Sequence, residues 1–561
     1  MTVRSIVIHG HFYQPPREDP WLNQVAAEPS AAPYHDWNER IERESYRAVV
    51  AARVYAPDGR IAHIVNTLAS ISFNFGATLL EWLERETPGT YAAVLEADRA
   101  SRARHAGHGN AIAMPYHHVI MPLASRRDKI TEVRWGIADF RRRFGRGPEG
   151  MWLPETAVDP ETLDVLAAEG IAFTILAPHQ VEQAPADGSA GRYRTSGGRS
   201  IALFVYDGAI SHDVAFGSLL KDASAWAERL LAPGKRGHER RLVAVATDGE
   251  TYGHHHKFGE VALAWVLREL ERRRDARVEN FAAFLARHRP EQEVKLVAPT
   301  SWSCAHGVER WRADCGCRMA PERSTQQRWR APLREALDWL AGELHARFEQ
   351  EGGALFADPW AARDAYGTDR TADGRARELL EMERNALRMF TSCGWFFDDI
   401  AGIETIQILR YAARAIELAG ADAPRLEAGV LERLARAQSN ERAEGTGRDV
   451  YLNHVKRRVP VESAARTDAH AADSGDDAAR ALLRAVLALE HDHSPRAIAA
   501  VTELADRAQR DGGHVPFDAQ TAFYRIRAAA PPERAAQLAS VAWRLGFADG
   551  EVEGKGKGGS H

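Results

Sequence analysis

The chain has 561 residues, enough at roughly 150 per domain for three or four domains, or for one large barrel with a second domain. Hydrophobic residues make up 45% and charged residues 27%, with Gly 44 and Pro 26, a globular composition that excludes collagen, coiled coil and bulk disorder. The net charge of −5, from 78 acidic and 73 basic residues, comes without a basic block that could track a phosphate backbone, so nucleic acid is not expected as a partner.

The N-terminal MTVRSIVIHGHFYQPP has too short an apolar run for a signal peptide and lacks a small-residue cleavage site. No stretch approaches the roughly 18 uninterrupted apolar residues of a membrane span, and four cysteines cannot build a disulfide framework. A cytoplasmic protein without a membrane partner is expected. The 14 tryptophans supply flat apolar faces of the kind that sugar sites use, and cores use them as well.

In chain order, residues 1–290 alternate short β-branched runs with longer amphipathic stretches, the rhythm of a parallel sheet with crossover helices. Seven runs are predicted strands: SIVIHGH (5–11), ASISFNFG (69–76), AIAMPYHHVIMP (111–122), GMWLPET (150–156), IAFTILAPHQ (171–180), IALFVYDG (201–208) and LVAVATDGET (242–251). Helices are predicted at 78–86, 127–145, 160–170 and 258–274. Gly145 and Gly170 stand where left-handed C-caps would end two of them. From about 290 the strands stop, and segments such as APLREALDWLAGELHARFEQ and IETIQILRYAARAIELAG carry 3.6-residue periodicity, so 291–548 is expected to be all-helical. The Asp- and Ala-rich 462–480 reads as a loop or the start of another helix pair, and the Gly- and Lys-rich tail 549–561 as disordered.

Polar residues at the C-terminal ends of parallel barrel strands converge on one face. Here His9, His11 and Gln14 follow the first run, Asn74 ends the second, and His117 and His118 lie in the third. Glu155 ends the fourth and His179 the fifth. Asp207 and His212 follow the sixth, and Asp248, Glu250 and His254 the seventh. Any one of these is more often structural than functional, but polar groups closing all seven runs are costly as mere core filling. Glu155, in EGMWLPETAVD, and Asp248, in VAVATDGETYGHHH, are the two carboxylates that glycosidic cleavage needs, one to attack the anomeric carbon and one to protonate the leaving oxygen.

The segments IHGHFYQPP, HGNAIAMPYHHVIMPL, EGMWLPETAVD and TDGETYGHH, in this order, resemble the conserved regions of glycoside hydrolase family 57, over residues 1 to about 320. That family includes α-amylases, 4-α-glucanotransferases, α-glucan branching enzymes, amylopullulanases and α-galactosidases. The resemblance implies an α/β fold, an incomplete (β/α)7 barrel followed by an all-helical domain, and retention of configuration. It makes Glu155 the nucleophile and Asp248 the acid/base. His9, His11 and Gln14, completed by Pro15, match the first region and would contact substrate, and Glu250, Gly253 and His254 complete the D-x-E-x-x-G-H pattern opened by Asp248. His117 and Trp152, in the two middle segments, are also expected to bind substrate. Departures are Thr156 where the family usually has cysteine, Tyr252 in place of phenylalanine, and the triple histidine 254–256.

In the helical half, TSWSCAHGVERWRADCGC and MFTSCGWFFDDIAGIE are rich in aromatic and charged residues. They are read as closing over the barrel mouth, with Trp302, Trp311 and Trp395 stacking on sugar and Asp398 or Asp399 accepting hydroxyls; the alternative is a domain junction that touches no sugar. The C-x10-C-x-C spacing of Cys304, Cys315 and Cys317 is not a standard zinc pattern. No metal or cofactor is therefore assigned, and these residues and Cys393 read as reduced core thiols or a local disulfide, with a structural metal as the lesser alternative.

The function expected is an α-glucan glucanotransferase, branching enzyme or amylase, with transfer favoured because an aromatic-rich helical domain would shield the intermediate from water. The competing reading is a metal-dependent carbohydrate deacylase or mannosidase-like hydrolase using His9, His11, Asp248 and His254–His256. Glu155 discriminates, since a metal mechanism does not need it. A carbohydrate-binding protein without activity is the third reading, and the presence of both carboxylates argues against it.

Overall fold

The computed structural model describes residues 3–232, 240–273, 275–367, 370–457, 474–510 and 514–548. Among them the strands are β1 (Arg4–Phe12), β2 (Ala52–Tyr55), β3 (Ile61–Val65), β4 (Ser72–Phe75), β5 (Phe173–Leu176), β6 (Gly191–Arg194), β7 (Ser200–Val205), β8 (Leu242–Asp248) and β9 (Ala276–Val278). β1 is buried along almost its whole length, as a central strand covered on both faces must be. It pairs in parallel with β4 and β8, while β9 pairs with its first residues. Single parallel bridges from Phe73 to Ala111, Ala113 to Met151 and Gly150 to Phe173 carry the pairing onward to β5. β5 pairs in parallel with β7, and the Asp207 amide just past β7 donates to the carbonyl of Ala244 in β8 at 2.7 Å.

All seven predicted runs therefore stand side by side in chain order. The third and fourth are held by bridges instead of ladders because Pro115, Pro122 and Pro154 donate no hydrogen bond, and His118, Glu155 and Thr156 have positive φ. The antiparallel hairpin β2–β3 and the antiparallel partner β6 of β7 were not expected.

The predicted helices of this half form at Ala77–Glu86, Arg126–Phe144, Pro160–Ala168 and Gly259–Arg272, within a residue or two of their expected bounds. Ser125 accepts from the Asp128 amide at the start of the second, and Gly145, at φ 65°, closes it in the left-handed conformation.

Helix does not begin at 291. Between Phe281–Arg287 and Arg330–Gly352 the only helical element is the short turn Glu309–Trp311, so the first part of the expected helical region is an irregular loop. From Arg330 onward helices dominate and form two cores. One gathers Trp329, Leu337, Leu340, Leu409 and Tyr411, and extends to Trp135 of the sheet half. The other gathers Leu482, Val486, Phe523 and Val541, and packs on β3 through Ile61 and Phe547. The tail 549–561 and residues 462–473 lie outside the described residues.

Candidate active site

Register places the polar strand ends together. His11 of β1 stands level with Asn74 of β4 on one side and Asp248 of β8 on the other, and His9 stands level with Ser72 and Ala246. Residues two apart on a strand share a face, so His9, His11, Ser72, Asn74 and Asp248 project to the same side. His9 bonds Ser72 Oγ through Nδ1 and Asn74 Oδ1 through Nε2, both at 3.1 Å. Asn74 Nδ2 donates to His11 Nδ1 at 2.9 Å, His11 Nε2 meets His118 Nε2 at 3.2 Å, and His118 Nδ1 meets Ser392 Oγ at 2.7 Å.

Donor and acceptor needs orient this chain in one direction. Because the Asn74 amide donates to His11 Nδ1, His11 carries its proton on Nε2 and donates to His118, which then donates from Nδ1 to Ser392. The other end follows: Asn74 Oδ1 accepts from His9 Nε2, leaving His9 Nδ1 as an acceptor 3.1 Å from Ser72 Oγ, whose hydroxyl also lies 3.3 Å from the Asn110 carbonyl. Burial pushes His9 and His11 down to about 3, the charge of His11 adding to the effect on His9, and burial and His11 push His118 well below the usual histidine value. All three are neutral near pH 7.

Trp152 lies under this array, its ring stacked at 4.9 Å on His9 and 5.2 Å on His11. Tyr13 stacks on His118 at 3.7 Å. Trp302 stands edge-on to Trp152 at 5.1 Å.

Glu155 sits at φ 57°, ψ 18° and Thr156 at φ 48°, a left-handed pair of residues with side chains that surrounding structure must hold. The Glu155 carbonyl accepts from the Trp302 amide at 2.9 Å, and the Thr156 carbonyl accepts from Gln180 Nε2 at 2.8 Å. The Glu155 carboxylate accepts from Trp302 Nε1 at 3.1 Å and Ser303 Oγ at 2.5 Å. Burial raises its pKa, while Ser303, the positive charge of Arg310 and Trp302 favour the ionised form. Asp248 has no such support. Burial and the negative charges of Glu250 and Glu155 hold it well above the ordinary aspartate value. Glu250 accepts from the Tyr13 amide at 3.0 Å and from the Tyr46 hydroxyl, and burial pushes it up to about 7.

The expected site residues divide. His9, His11, Trp152, Glu155, Asp248, Glu250 and Trp302 surround one another, and Gln14, bonded through Nε2 to the Tyr13 carbonyl, adjoins them. His254 pairs with Glu44 and stands edge-on to Trp37 at 6.3 Å.

Four expectations fail. His117 turns away to Glu132, with Nδ1 at 2.8 Å from its carboxylate, and stands edge-on to Trp135; the neighbouring His118 is the one that joins the cluster. Trp311 and Trp395 are 0% and 1% exposed, so neither offers a ring face for stacking. Asp398 has both carboxylate oxygens occupied, by the Met319 and Ala320 amides, and so pins a loop where a hydroxyl acceptor was expected. Tyr13, Ser303 and Arg310 are the site residues the sequence did not single out, and of the paired His117 and His118 it preferred the wrong one. The positive φ of His118 breaks the alternation from which a strand's inward residue is read, and no motif marks Ser303 or Arg310.

The sequence model described as glycosyl hydrolase family 57 matches residues 9–297, and one described as a domain of unknown function (DUF3536) matches 326–373 and 367–474. "Alpha-amylase 1" of Dictyoglomus thermophilum is 25% identical over 106 residues, which is 19% of this chain and spans only 15% of that protein. Among solved structures, an exo-type maltose-forming amylase from Pyrococcus sp. ST04 superposes with a TM-score of 0.59 at 17% identity, covering 81% of this chain and 88% of that one. A GH57-type branching enzyme from Pyrococcus horikoshii gives a TM-score of 0.49 at 16% identity, covering 81% and 94%. With its family model matched across the whole sheet half, the chain belongs to glycosyl hydrolase family 57.

Proposed function

We propose that the protein is a retaining enzyme acting on α-glucans, in which Glu155 attacks the anomeric carbon to form a glycosyl-enzyme and Asp248 protonates the departing oxygen, then deprotonates the acceptor. The observation that carries this reading is the unequal environment of the two carboxylates, which burial raises alike and their other neighbours push apart. Glu155 receives Ser303, Trp302 and the field of Arg310, which favour the ionised state a nucleophile needs. The charges that act on Asp248, those of Glu250 and Glu155, are negative, and with burial they favour the proton an acid must carry. The α-glucan class rests on the family and on the activities named for its relatives.

The seven adjacent runs support an incomplete (β/α)7 barrel over 1–290, with the part from 291 to 548, helical only from Arg330 onward, lying across its mouth. Ser392 at the end of the histidine chain and Trp302 beside Glu155 come from beyond the barrel. The metal-dependent alternative is disfavoured because the ring nitrogens of His9 and His11 are committed to Ser72, Asn74 and His118, and His254 to Glu44.

Once the glycosyl-enzyme forms, water or a sugar hydroxyl resolves it, and Glu155, half-buried beneath the 302–317 loop, favours the sugar. Amylose incubated with the enzyme is therefore expected to change in chain length or branching with retained anomeric configuration and without a matching rise in reducing ends. Rapid release of reducing sugar would overturn transfer, and an inverted anomer would overturn the mechanism.

A further inference from the structure

Three of the chain's four cysteines converge with a histidine in the irregular segment that follows the sheet half. Cys304 Sγ lies 3.9 Å from Cys315 Sγ and 3.8 Å from Cys317 Sγ, and Cys317 Sγ lies 3.6 Å from His306 Nδ1. All four ligand atoms fall within 4.8 Å of one another. Disulfide bonding brings two sulfurs to about 2.05 Å, and all four cysteines of the chain are free thiols. Tetrahedral zinc holds thiolate at about 2.3 Å and imidazole at about 2.0 Å, which sets sulfur–sulfur separations near ~3.8 Å and sulfur–nitrogen near ~3.5 Å. The observed spacings are those of a four-ligand shell around one ion, and they leave no room for a multi-iron cluster.

We propose that Cys304, His306, Cys315 and Cys317 bind one structural Zn2+ ion. Two further observations lead there independently. The first is the buried guanidinium of Arg330, which forms no salt bridge among the described residues. Its hydrogen bonds go to main-chain carbonyls, at 2.8 Å to Cys317 and at 3.5 and 3.3 Å to Phe396 and Phe397. The Asp398 carboxylate acts on it from a distance but makes no ion pair with it, its oxygens accepting from the Met319 and Ala320 amides. A buried cation needs a counter-charge, and three thiolates with one neutral imidazole around Zn2+ give a centre of net charge −1 beside it.

The second is the segment itself. Between Arg287 and Arg330 it holds a single short helical turn, and long ordered loops without secondary structure call for another tie. Gly316 supplies the turn between two of the ligands, at φ +79°, which lets Cys315 and Cys317 face the same point. Binding displaces one proton from each of the three thiols to solvent, uses the lone pair of His306 Nδ1, and changes no oxidation state.

The sequence spacing C-x-H-x8-C-x-C is outside the usual zinc patterns, so the assignment of no metal from sequence is replaced by one from geometry. The site's consequence for chemistry rests on the proposed role of Glu155. Cys304 directly follows Trp302 and Ser303, the two donors to the Glu155 carboxylate, and Arg310 Nη1 donates to the Ser303 carbonyl at 3.3 Å. The ion would fasten the loop that holds the nucleophile's hydrogen bonds, making its ligands positioning residues.

The test is elemental analysis of the full-length protein, purified without chelator, alongside native-state alkylation read by peptide mass. We expect about one zinc per chain, with Cys304, Cys315 and Cys317 protected from alkylation until chelator is added. Replacement by Co2+ should give the thiolate-to-metal charge-transfer and d–d bands of a tetrahedral site. The double variant Cys304→Ser/Cys317→Ser should fall to near zero metal, whereas Glu155→Gln should keep full zinc while losing activity, which separates failure of the metal site from failure of the catalytic reading. A folded protein without bound metal and with these three thiols reactive, or zinc content unchanged in the double variant, would overturn the proposal. Should the double variant not fold, cobalt spectra and thiol protection in the unaltered protein decide.

Discussion

Glu250 shows how a residue that need not touch the scissile bond can set the chemistry of one that does. Its negative charge is, after burial, the largest influence raising Asp248, and its own carboxyl is pushed up to about 7. Replacing it with glutamine keeps an acceptor for the Tyr13 amide and the Tyr46 hydroxyl and removes the charge. Asp248 then loses its proton more readily, so the alkaline limb of the kcat/KM profile should move to lower pH; an unmoved limb would show that the two are not coupled. Stability should respond as well. A carboxyl whose folded pKa lies above its unfolded value destabilises the fold progressively as pH rises from about 4.5 through about 7, and Glu250→Gln should remove that part of the pH dependence of Tm. The same scale explains what the sequence concealed. Glu155 and Asp248 were legible because each ends an apolar run in a distinctive string. Between His117 and His118 the sequence could not choose correctly, because a positive φ turns His118 inward where strand alternation would not predict it.

At the scale of elements, the 302–317 loop delivers Trp302 and Ser303 to the Glu155 carboxylate, while Arg310 steadies Ser303 from the same loop and donates to the Phe396 carbonyl. Ser303→Ala deletes one donor to an ionised carboxylate. Such bonds are worth roughly 1.5–3 kcal/mol, so the acidic limb of the activity profile should rise by about one pH unit while the structure holds; a fall, or no change, would contradict the assigned polarity. The seven core runs could be read in order because parallel strands buried on both faces are continuous apolar strings. β2, β3, β6 and β9 escaped because they span three to five residues with little alternation. Aromatic richness likewise could not separate Trp302, which reaches the site, from Trp311 and Trp395, which fill the helical core. Composition records how many rings a segment carries and is silent on which of them face water.

Across the whole molecule, the sheet and helical halves are joined by a buried charge network. Arg363 bonds Glu383 at 2.7 Å and Asp128 at 2.9 Å, and His345 bonds Glu383 at 2.9 Å and Asp128 at 3.4 Å. The charges of Glu383 and Asp128 outweigh burial and hold His345 up at about 10, from an ordinary 6.5. A histidine raised on folding stabilises fully below its unfolded value and loses that contribution as pH climbs to the folded one. Tm is therefore expected to decline between about pH 6.5 and 10 in a manner that His345→Gln abolishes. Arg363→Ala, which leaves two buried carboxylates to share His345 as their one cation in the network, should cost about 3–5 kcal/mol in denaturant unfolding; a loss below about 1 kcal/mol, the scale of an exposed pair, would contradict the network. Such a junction keeps the helical half seated where Ser392 and Trp302 complete the site. The account turns on whether Glu155 becomes covalently bonded to sugar. The direct measurement is to trap the intermediate with a fluorinated α-glucosyl substrate and locate the added mass by peptide sequencing. One glycosyl group on Glu155 is the predicted result, and a label on any other residue would contradict it.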